Sequence, residues 1–112
     1  MEEEQTLRQL QAQVDKWIQT KGVRYFSELT NMGVLMEEVG ELARILTRTY
    51  GDQSFKKGER ADNIAEELAD VLFVLVCLAN QTGVDLQKAM EEAFHKRNTR
   101  DATRHINNPK LK

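Results

Sequence analysis

The sequence repeats the spacing of an α-helix in four separate segments, and this spacing limits the possible folds more than any other feature. Apolar residues recur every three or four positions in residues 5–20, 28–50, 64–83 and 86–100. Such a recurrence places the apolar side chains on one face of a helix. With one proline and six glycines in 112 residues, few positions oppose helix formation. We therefore predict an all-α fold, a four-helix bundle-like subunit.

Short motifs predict where these helices begin and end. Ser27 and Asp85 stand just before the second and fourth helices and are typical N-caps. Asn63, with Glu66 three residues later in DNIAEE, has the pattern of a capping box for the third helix. Gly51 follows the second helix and is predicted to take the left-handed C-terminal conformation.

The third helix is unusual because it is apolar on every side around Phe73, Val76 and Cys77. A helix on the surface of a globular protein should keep one polar face. A subunit of four helices is too small to bury one of them completely. The sequence therefore predicts a homo-oligomer.

The chain is predicted to be a single domain over 1–112, with a core at about 5–100 and a basic C-terminal tail at 101–112. Its hydrophobic fraction of 40% and charged fraction of 30% are typical of a globular protein. Cys77 is the only cysteine, the N-terminus is unlike a secretory signal, and the longest apolar run, 71–79, is too short to cross a bilayer. We expect a cytoplasmic protein with no membrane partner and no nucleic-acid partner.

Two pairs of acidic residues fall on otherwise apolar helix faces. Glu38 and Glu41 form one pair on the second helix, and Glu67 and Asp70 form the other on the third. Residues three apart on a helix have neighbouring side chains. Burial of ionised carboxylates without partners costs several kcal/mol each, so something must neutralise them.

Arginine is one candidate for this neutralisation, but Arg44 and Arg48 are predicted to point towards the polar side of the second helix. A hard divalent cation fits better. Four carboxylates without cysteine or histidine suit Mg²⁺ or Mn²⁺ and do not suit Zn²⁺.

The spacing of the two acidic pairs does not determine whether they lie next to each other in one subunit. Glu41 lies nine residues before Tyr50, the predicted end of its helix, whereas Glu67 lies near the start of the next. At about 1.5 Å per residue, a tight hairpin would misalign the pairs by nearly two turns. Either the connection 51–62 climbs back along the second helix, or one pair faces another subunit.

The two acidic motifs resemble a known family signature. EEVGELA at 37–43 and EELADVL at 66–72 are similar to the motifs of MazG-like nucleotide pyrophosphohydrolases, which belong to the all-α NTP pyrophosphatases with the dimeric dUTPases and phosphoribosyl-ATP pyrophosphatase. The resemblance covers about residues 5–100. It implies hydrolysis of a nucleoside triphosphate between the α and β phosphates, a dimer or tetramer, and four Mg²⁺ ligands: Glu38, Glu41, Glu67 and Asp70.

The triphosphate needs more positive charge than one Mg²⁺ among four carboxylates supplies. Further Mg²⁺ could arrive with the nucleotide, or basic residues could supply the charge. Lys57, Lys96, Arg97 and Arg100 are the candidates, and the resemblance points to Lys96, Asn98 and Arg100 for the phosphates. A solvated linker around Lys57 and a solvated basic helix end are the alternative interpretations.

Two further roles are predicted at the site. The base that activates water is Glu38 or Glu41, with Glu37 as a weaker third candidate. Trp17 is a candidate for stacking on the nucleobase, ahead of Tyr25 and Phe26, although aromatic residues at helical spacing more often belong to a core.

Three alternatives stay open on the sequence. The chain could be a non-catalytic helical scaffold that binds partners without turnover, or an enzyme like phosphoribosyl-ATP pyrophosphatase. A di-iron carboxylate bundle is the third, because Glu92 and His95 form an E-x-x-H motif. It is less favoured, since such bundles need two copies of this motif and the chain has one.

Overall fold

The structure of the chain, a computed structural model, describes residues 4–59 and 64–112. Within these residues there is no β-strand, and the prediction of an all-α fold with four helices is confirmed. The α-helices are followed by a short 3₁₀ turn at Pro109–Leu111. Their bounds are α1 Leu7–Thr20, α2 Glu28–Tyr50, α3 Ile64–Gln81 and α4 Leu86–Arg100.

Polar side chains cap three of the four helices. Ser27 accepts a hydrogen bond from the backbone N–H of the third residue of α2, and Asp85 does the same for α4, so both predicted caps are confirmed. Thr6 and Gln9 form a capping box at the start of α1. Each cap satisfies backbone donors that have no partner within the helix. The predicted cap Asn63 lies outside the described residues.

The prediction for Gly51 is wrong. Its backbone is extended, with φ −100° and ψ −166°, rather than left-handed. Glycine is required there for a different reason, because a Cβ atom would overlap the carbonyl oxygen of Thr47. The left-handed conformation occurs instead at Gly83, with φ 72°, where the chain turns between α3 and α4.

The two longest helices, α2 and α3, pack against each other as an antiparallel pair. Asn31 near the start of α2 donates a hydrogen bond to Gln81 at the end of α3 (2.8 Å), whereas Glu38 lies beside Glu67 near the start of α3. In this register, the last turns of α2 extend past the first turn of α3. The preceding loop folds back along them, since Glu59 pairs with Arg44. The connection therefore climbs back, as one of the two predicted routes required.

A small core cluster lies between α1 and α3, and Leu35 and Ile45 of α2 are buried outside it. Val14 and Ile18 of α1 contact Val76 and Cys77 of α3, and all four are buried. The side chain of Gln11 reinforces this contact by hydrogen bonds to Asn80, to the Val84 carbonyl and to the Leu86 N–H. These bonds hold α1 against both α3 and the turn that follows it.

The fourth helix packs mainly on α1. Between α3 and α4 the chain bends by 103°, and none of the residues of α4 is buried. Leu7 and Arg8 at the start of α1 bond to Gln87 and Asp85. In the described part of the chain no single helix is long and apolar enough to cross a membrane, and α3 with α4 meets that test of length and composition only as a bent pair.

One residue in the α1–α2 connection has an unfavourable backbone. Val23 has φ 72° and a side chain that is 78% exposed. A left-handed conformation costs an L-residue about 1–2 kcal/mol, and a β-branched side chain is especially disfavoured there. The exposed side chain offers little packing in return.

We therefore expect Val23→Gly to raise the free energy of unfolding by about 1 kcal/mol and the melting temperature by about 4 °C. Val84→Gly is the matched control, because Val84 is also an exposed turn valine but has no positive φ. It should lower stability. Thermal unfolding followed by circular dichroism compares the two, and a loss of stability in both variants would contradict the assignment of strain to Val23.

Candidate functional site

Three of the four predicted metal ligands meet between α2 and α3. Glu38, Glu67 and Asp70 each offer one carboxylate oxygen, and these three atoms lie within 4.8 Å of one another. We call this group the carboxylate cluster. The antiparallel register brings Glu38 of α2 to the first turns of α3. One chain therefore assembles the cluster, and an acidic pair from another subunit is not needed to complete it.

Glu41 lies beside this cluster rather than within it. It is one turn further along α2, and it lines a cavity together with Glu67. Its negative charge raises the pKa of both Glu38 and Glu67, so it is close to them electrostatically. A ligand role for Glu41 stays a prediction.

The carboxylate cluster has unsatisfied acceptors. One oxygen of Glu38 and one of Glu67, both Oε2, are buried and accept no hydrogen bond from any residue that the structure describes. Burial raises the pKa of both carboxyls, and the neighbouring acids raise it further: Glu41 and Asp70 act on each of them. Buried polar atoms without partners are rare, and they need an explanation. A bound cation supplies one, because it would coordinate these oxygens and offset the crowded negative charge.

The prediction that Arg44 and Arg48 point to the polar side is wrong. Arg44 lines the cavity that also contains Glu41 and Glu67. The Nε atom of Arg48 is buried, and it has no hydrogen-bond partner in the described part of the chain. Counting at 3.6 residues per turn places Arg48 only about 20°, and Arg44 about 60°, from Glu41 around the helix. This small angular separation was the feature of the sequence that could have placed both arginines on the same side of α2 as Glu41.

A cavity of about 480 Å³ opens on one side of the cluster, and we call it the aromatic cavity. Glu38 and Asp70 line it. So do four aromatic side chains: Trp17, Tyr25, Phe26 and Phe73. A space of this size with apolar walls and a few polar groups is typical of small-molecule sites. It brings the predicted stacking residue Trp17 to the same space as two of the acids.

The walls of the aromatic cavity are fixed by specific contacts. The rings of Trp17 and Phe73 meet edge to face, with centroids 5.9 Å apart and planes at 86°. The Tyr25 hydroxyl donates to Asp15 (2.6 Å) and accepts from Asn80 (3.0 Å). Burial, and then the hydrogen bond to Asp15, raises the pKa of Tyr25 to about 12. This side chain is therefore neutral at physiological pH and serves as a rigid wall.

The cavity is also lined by two polar residues that sequence reasoning missed, Arg24 and Asn31. Asn31 is buried, and its amide donates to Gln81, which in turn donates to the carbonyl of Phe26 (2.5 Å). These bonds fix the orientation of the amide against the cavity. An asparagine within an apolar stripe of α2 was the available signal, since buried polar side chains need partners.

A second cavity of about 420 Å³ lies on the other side of the cluster, and we call it the arginine cavity. It is formed where the segment after α2 folds back along that helix. The carboxylate cluster therefore separates an apolar space from a polar one. The lining residues of the arginine cavity are Glu41, Arg44, Ile45, Phe55, Gly58, Glu59 and Glu67.

The predicted phosphate contacts do not meet the cluster within one chain. Lys57 is exposed in the segment after α2, and Asn98 is exposed on α4. Lys96 and Arg100 line a separate cavity on α4, together with Glu92. A phosphate role for these residues stays a prediction.

The group of side chains that could hold a metal ion, among the described residues, consists of the cluster's three carboxylates and does not include His95. It contains no histidine, which a di-iron bundle would need. Three carboxylates from two helices, beside an aromatic cavity, instead indicate an all-α protein that could hold a metal ion next to a small organic ligand.

Comparison with known proteins identifies the family. The model of the MazG nucleotide pyrophosphohydrolase domain matches residues 26–105, which include α2, α3, α4 and the whole carboxylate cluster. The chain belongs to this family and is an enzyme of the nucleotide pyrophosphohydrolase class. The resemblance seen in the two acidic motifs is confirmed.

Individual relatives agree with this assignment. YpjD of Bacillus subtilis (strain 168) is 45% identical over 101 residues, which cover 90% of this chain and 91% of that protein. Its crystal structure has a TM-score of 0.77, at 43% identity, over 88% of this chain and 99% of that one. The Bacillus-conserved MazG protein, a nucleotide pyrophosphohydrolase, has a TM-score of 0.72 at 42% identity, over 88% and 96% of the two chains.

Proposed function

We propose that the protein is a Mg²⁺-dependent nucleoside triphosphate pyrophosphohydrolase. It cleaves a (deoxy)nucleoside triphosphate between the α and β phosphates, and the products are the monophosphate and pyrophosphate. The observation that carries this proposal is the pair of buried, unpartnered oxygens of Glu38 and Glu67. They lie where an aromatic cavity and an arginine-containing cavity adjoin the same acids.

Glu38, Glu67 and Asp70 would hold the ion, with Glu41 as the fourth predicted ligand. Carboxylate oxygens suit Mg²⁺, and Mn²⁺ fits the same donors. When bound, the ion supplies polarisation of a phosphoryl oxygen and a lower pKa for water. More than one ion with the substrate would compensate the charge of four carboxylates and a triphosphate.

The base that takes the proton from water is one of the two α2 acids, Glu38 or Glu41. Glu41 lies outside the three-carboxylate group, and this leaves its oxygens freer to accept a proton. A base must stand within hydrogen-bond reach of the water that it activates. A position one helical turn from Glu38 meets that need if the water is held by the cluster.

The nucleobase is proposed to occupy the aromatic cavity. Trp17 is 48% exposed, which leaves much of its surface free for a ligand, and its edge-to-face contact with Phe73 orients the indole. Stacking of a base on an aromatic side chain contributes about 1–3 kcal/mol. Asn31 offers a fixed amide for the polar edge of the base.

We expect Trp17→Ala to raise KM for the preferred nucleotide by about 10-fold or more, with a smaller change in kcat. Trp17→Phe should keep most of the affinity because it retains a π surface. Steady-state kinetics with both variants separates stacking from packing. An unchanged KM in the alanine variant would remove Trp17 from the base site.

We propose a homo-oligomer because a single chain is less compact, and exposes more surface, than an ordinary monomer of its length. Its radius of gyration is 18.0 Å, whereas about 13 Å is typical for a compact chain of this length. Its accessible surface is 9159 Å², compared with about 6300 Å² for an ordinary monomer of this size. Surface on this scale is commonly covered by a second subunit.

Seven of the exposed apolar residues form two stripes, one on each central helix. Measured from the α2–α3 contact, each stripe is rotated in the same sense by about 100–120°. Because the two helices are antiparallel, both stripes then lie on the same side of the pair, away from Asp70. We call this surface the α2–α3 outer face; its residues are Leu29, Met32, Met36, Val39, Leu68, Leu72 and Leu75.

The remaining proposals follow from the sequence. We propose one domain over 1–112 and a cytoplasmic location, for which the free, buried thiol of Cys77 is the supporting feature. Fractionation of cells that produce the protein would test the location.

The test of the proposed function is a panel of canonical and modified nucleoside triphosphates, with and without Mg²⁺, in which pyrophosphate and phosphate release are measured separately. We expect pyrophosphate and the monophosphate in a metal-dependent reaction. Release of phosphate alone would contradict the cleavage position. No release from any triphosphate would support the scaffold, and activity restricted to phosphoribosyl-ATP would support that neighbouring enzyme.

A further inference from the structure

The arginine cavity is polar and shares an acidic residue with the carboxylate cluster. The aromatic cavity, in contrast, has mainly apolar walls. Glu67 belongs both to the cluster and to the lining of the arginine cavity. Glu38 and Asp70 belong to the cluster and to the aromatic cavity. A molecule with an aromatic end in one cavity must therefore pass the cluster before its other end reaches the second.

Arg44 is the cationic residue among those that line this second cavity. Its guanidinium is not used to neutralise the site's acids, since within residues 4–59 and 64–112 neither Glu41 nor Glu67 forms an ion pair. Guanidinium groups present a planar set of donors that matches phosphate oxygens. Arg44 thus provides a phosphate-type binding group next to metal-type ligands.

In the substrate-free protein the guanidinium of Arg44 is already paired with an anionic side chain. One carboxylate oxygen of Glu59 pairs with the Arg44 guanidinium, and the other accepts a hydrogen bond from the backbone N–H of Lys56 (2.9 Å). These contacts lower the pKa of Glu59, with the hydrogen bond to Arg44 as the largest cause. The carboxylate is therefore ionised and bound in the way that a phosphate oxygen would be.

Arg48 adds a second donor nearby. It lies one turn beyond Arg44 on α2, at the spacing where side chains are neighbours. Its Nε is buried and has no hydrogen-bond partner within residues 4–59 and 64–112. A buried donor that is left unused is costly, and an anion held between α2 and the segment after it would satisfy this nitrogen.

We propose that Arg44 binds the terminal phosphates of the substrate, the part that leaves as pyrophosphate, and that Glu59 is an internal competitor for the same guanidinium. This inference rests on the proposed function, because it places the base end of the nucleotide in the aromatic cavity. The substrate's terminal phosphates displace Glu59 from Arg44. Glu59 returns when pyrophosphate leaves, so that the competitor favours product release.

The test is titration of inorganic pyrophosphate into the full chain in the presence of Mg²⁺, by calorimetry, together with nucleotide kinetics. We expect Arg44→Gln to weaken pyrophosphate binding and to raise the nucleotide KM, each by about 10-fold or more. Arg44→Lys should be intermediate, since it keeps the charge but loses the planar donors. Glu59→Gln should act in the opposite direction and tighten pyrophosphate binding by about 3-fold or more, because the competing charge is gone.

The opposite effects of Arg44→Gln and Glu59→Gln on pyrophosphate binding distinguish this proposal from a purely structural ion pair. If the pair only anchored the segment after α2, Glu59→Gln would weaken binding as Arg44→Gln does, and the proposal would be overturned. It is also overturned if Arg44→Gln binds pyrophosphate as tightly as the wild type. Arg8→Gln is the matched control, because Arg8 forms an exposed ion pair with Asp85 at the other end of the molecule, and it should leave binding unchanged.

The same measurements separate this inference from the proposed function. The proposed function is contradicted if the wild-type protein releases no pyrophosphate from any triphosphate. The titration does not need turnover, so Arg44 can be confirmed or rejected as a pyrophosphate ligand even then. If the wild type turns over nucleotides and Arg44→Gln does so with unchanged KM, only this inference fails.

Discussion

Glu38→Gln is expected to abolish turnover and metal binding while making the metal-free protein more stable. The glutamine side chain has the same shape as glutamate, but it cannot supply the charged oxygen that a divalent cation needs. Stabilisation of a phosphoryl transition state by a metal is worth several kcal/mol, so kcat/KM should fall by about 10³-fold. Calorimetric titration of Mg²⁺ and an assay of pyrophosphate release measure the two losses.

The gain in stability has a separate cause. In the free protein the Oε2 atom of Glu38 is buried next to Asp70 and Glu67, and among the described residues it has no hydrogen-bond partner. Glutamine carries no charge, so it removes the repulsion from the neighbouring carboxylates and the cost of burying a charge away from water. We expect the free energy of unfolding to rise by about 1 kcal/mol, which corresponds to a rise in melting temperature of about 4 °C. A variant that loses activity because it is damaged would melt lower, so the two effects together identify a ligand.

Glu91→Gln is the matched control, because Glu91 is an exposed glutamate on α4 outside both cavities. It should keep the activity and the melting temperature of the wild type. Asp70→Asn should lose turnover as Glu38→Gln does. Activity near the wild-type level in Glu38→Gln would remove this residue from the ligand set.

The pKa shifts at the cluster add a pH dependence to the same experiment. The pKa values of Glu38 and Glu67 are raised in the folded state above the ordinary value of 4.5. Between the unfolded and folded pKa values the folded protein binds more protons, so its stability falls as pH rises through that interval. We expect the melting temperature of the metal-free wild type to decrease as pH rises above about 4.5. Glu38→Gln should flatten this decrease, and saturating Mg²⁺ should remove it.

The helix positions could be predicted because their signals are local. Ser27 and Asp85 cap their helices through hydrogen bonds to residues three positions later, and such bonds depend on nearby sequence alone. The failure at Gly51 has a different origin. Its close approach to the Thr47 carbonyl depends on how the following segment leaves the helix, and a glycine in sequence does not distinguish that from a left-handed turn.

The carboxylate cluster could be predicted in part for a similar reason. The angular position of Glu38, Glu67 and Asp70 on their helices follows from spacing alone. Whether the two helices bring them together depends on register, and the register depends on the loop that folds back through the Arg44–Glu59 pair. No local signal in the sequence encodes that pair, because its partners are fifteen residues apart.

The placement of α4 was also beyond local reasoning. The bend of 103° after α3 is set by the turn at Gly83 and by contacts of α1 with Asp85 and Gln87. These contacts join residues about eighty positions apart. Three basic residues of α4, Lys96, Arg97 and Arg100, consequently line a cavity of their own that contains none of the cluster's acids.

Leu72→Glu should disrupt the proposed oligomer and cause a large loss of stability. Leu72 is 43% exposed at the centre of the α3 stripe on the α2–α3 outer face, and helix geometry places it about 140–160° around α3 from Glu67 and Asp70. A carboxylate forced into an apolar subunit interface costs several kcal/mol, so the melting temperature should fall by about 10 °C or more.

Analytical ultracentrifugation over a range of concentrations should find the wild type as a dimer or tetramer and Leu72→Glu as a monomer. The melting temperature of the wild type should rise with concentration, since assembly stabilises the folded chain by mass action. Ile106→Glu is the control, because it places the same charge on an exposed apolar residue of the C-terminal segment and should leave assembly intact. A monomeric wild type would contradict the oligomer, whereas an intact oligomer in Leu72→Glu would place the interface elsewhere than on the α2–α3 outer face.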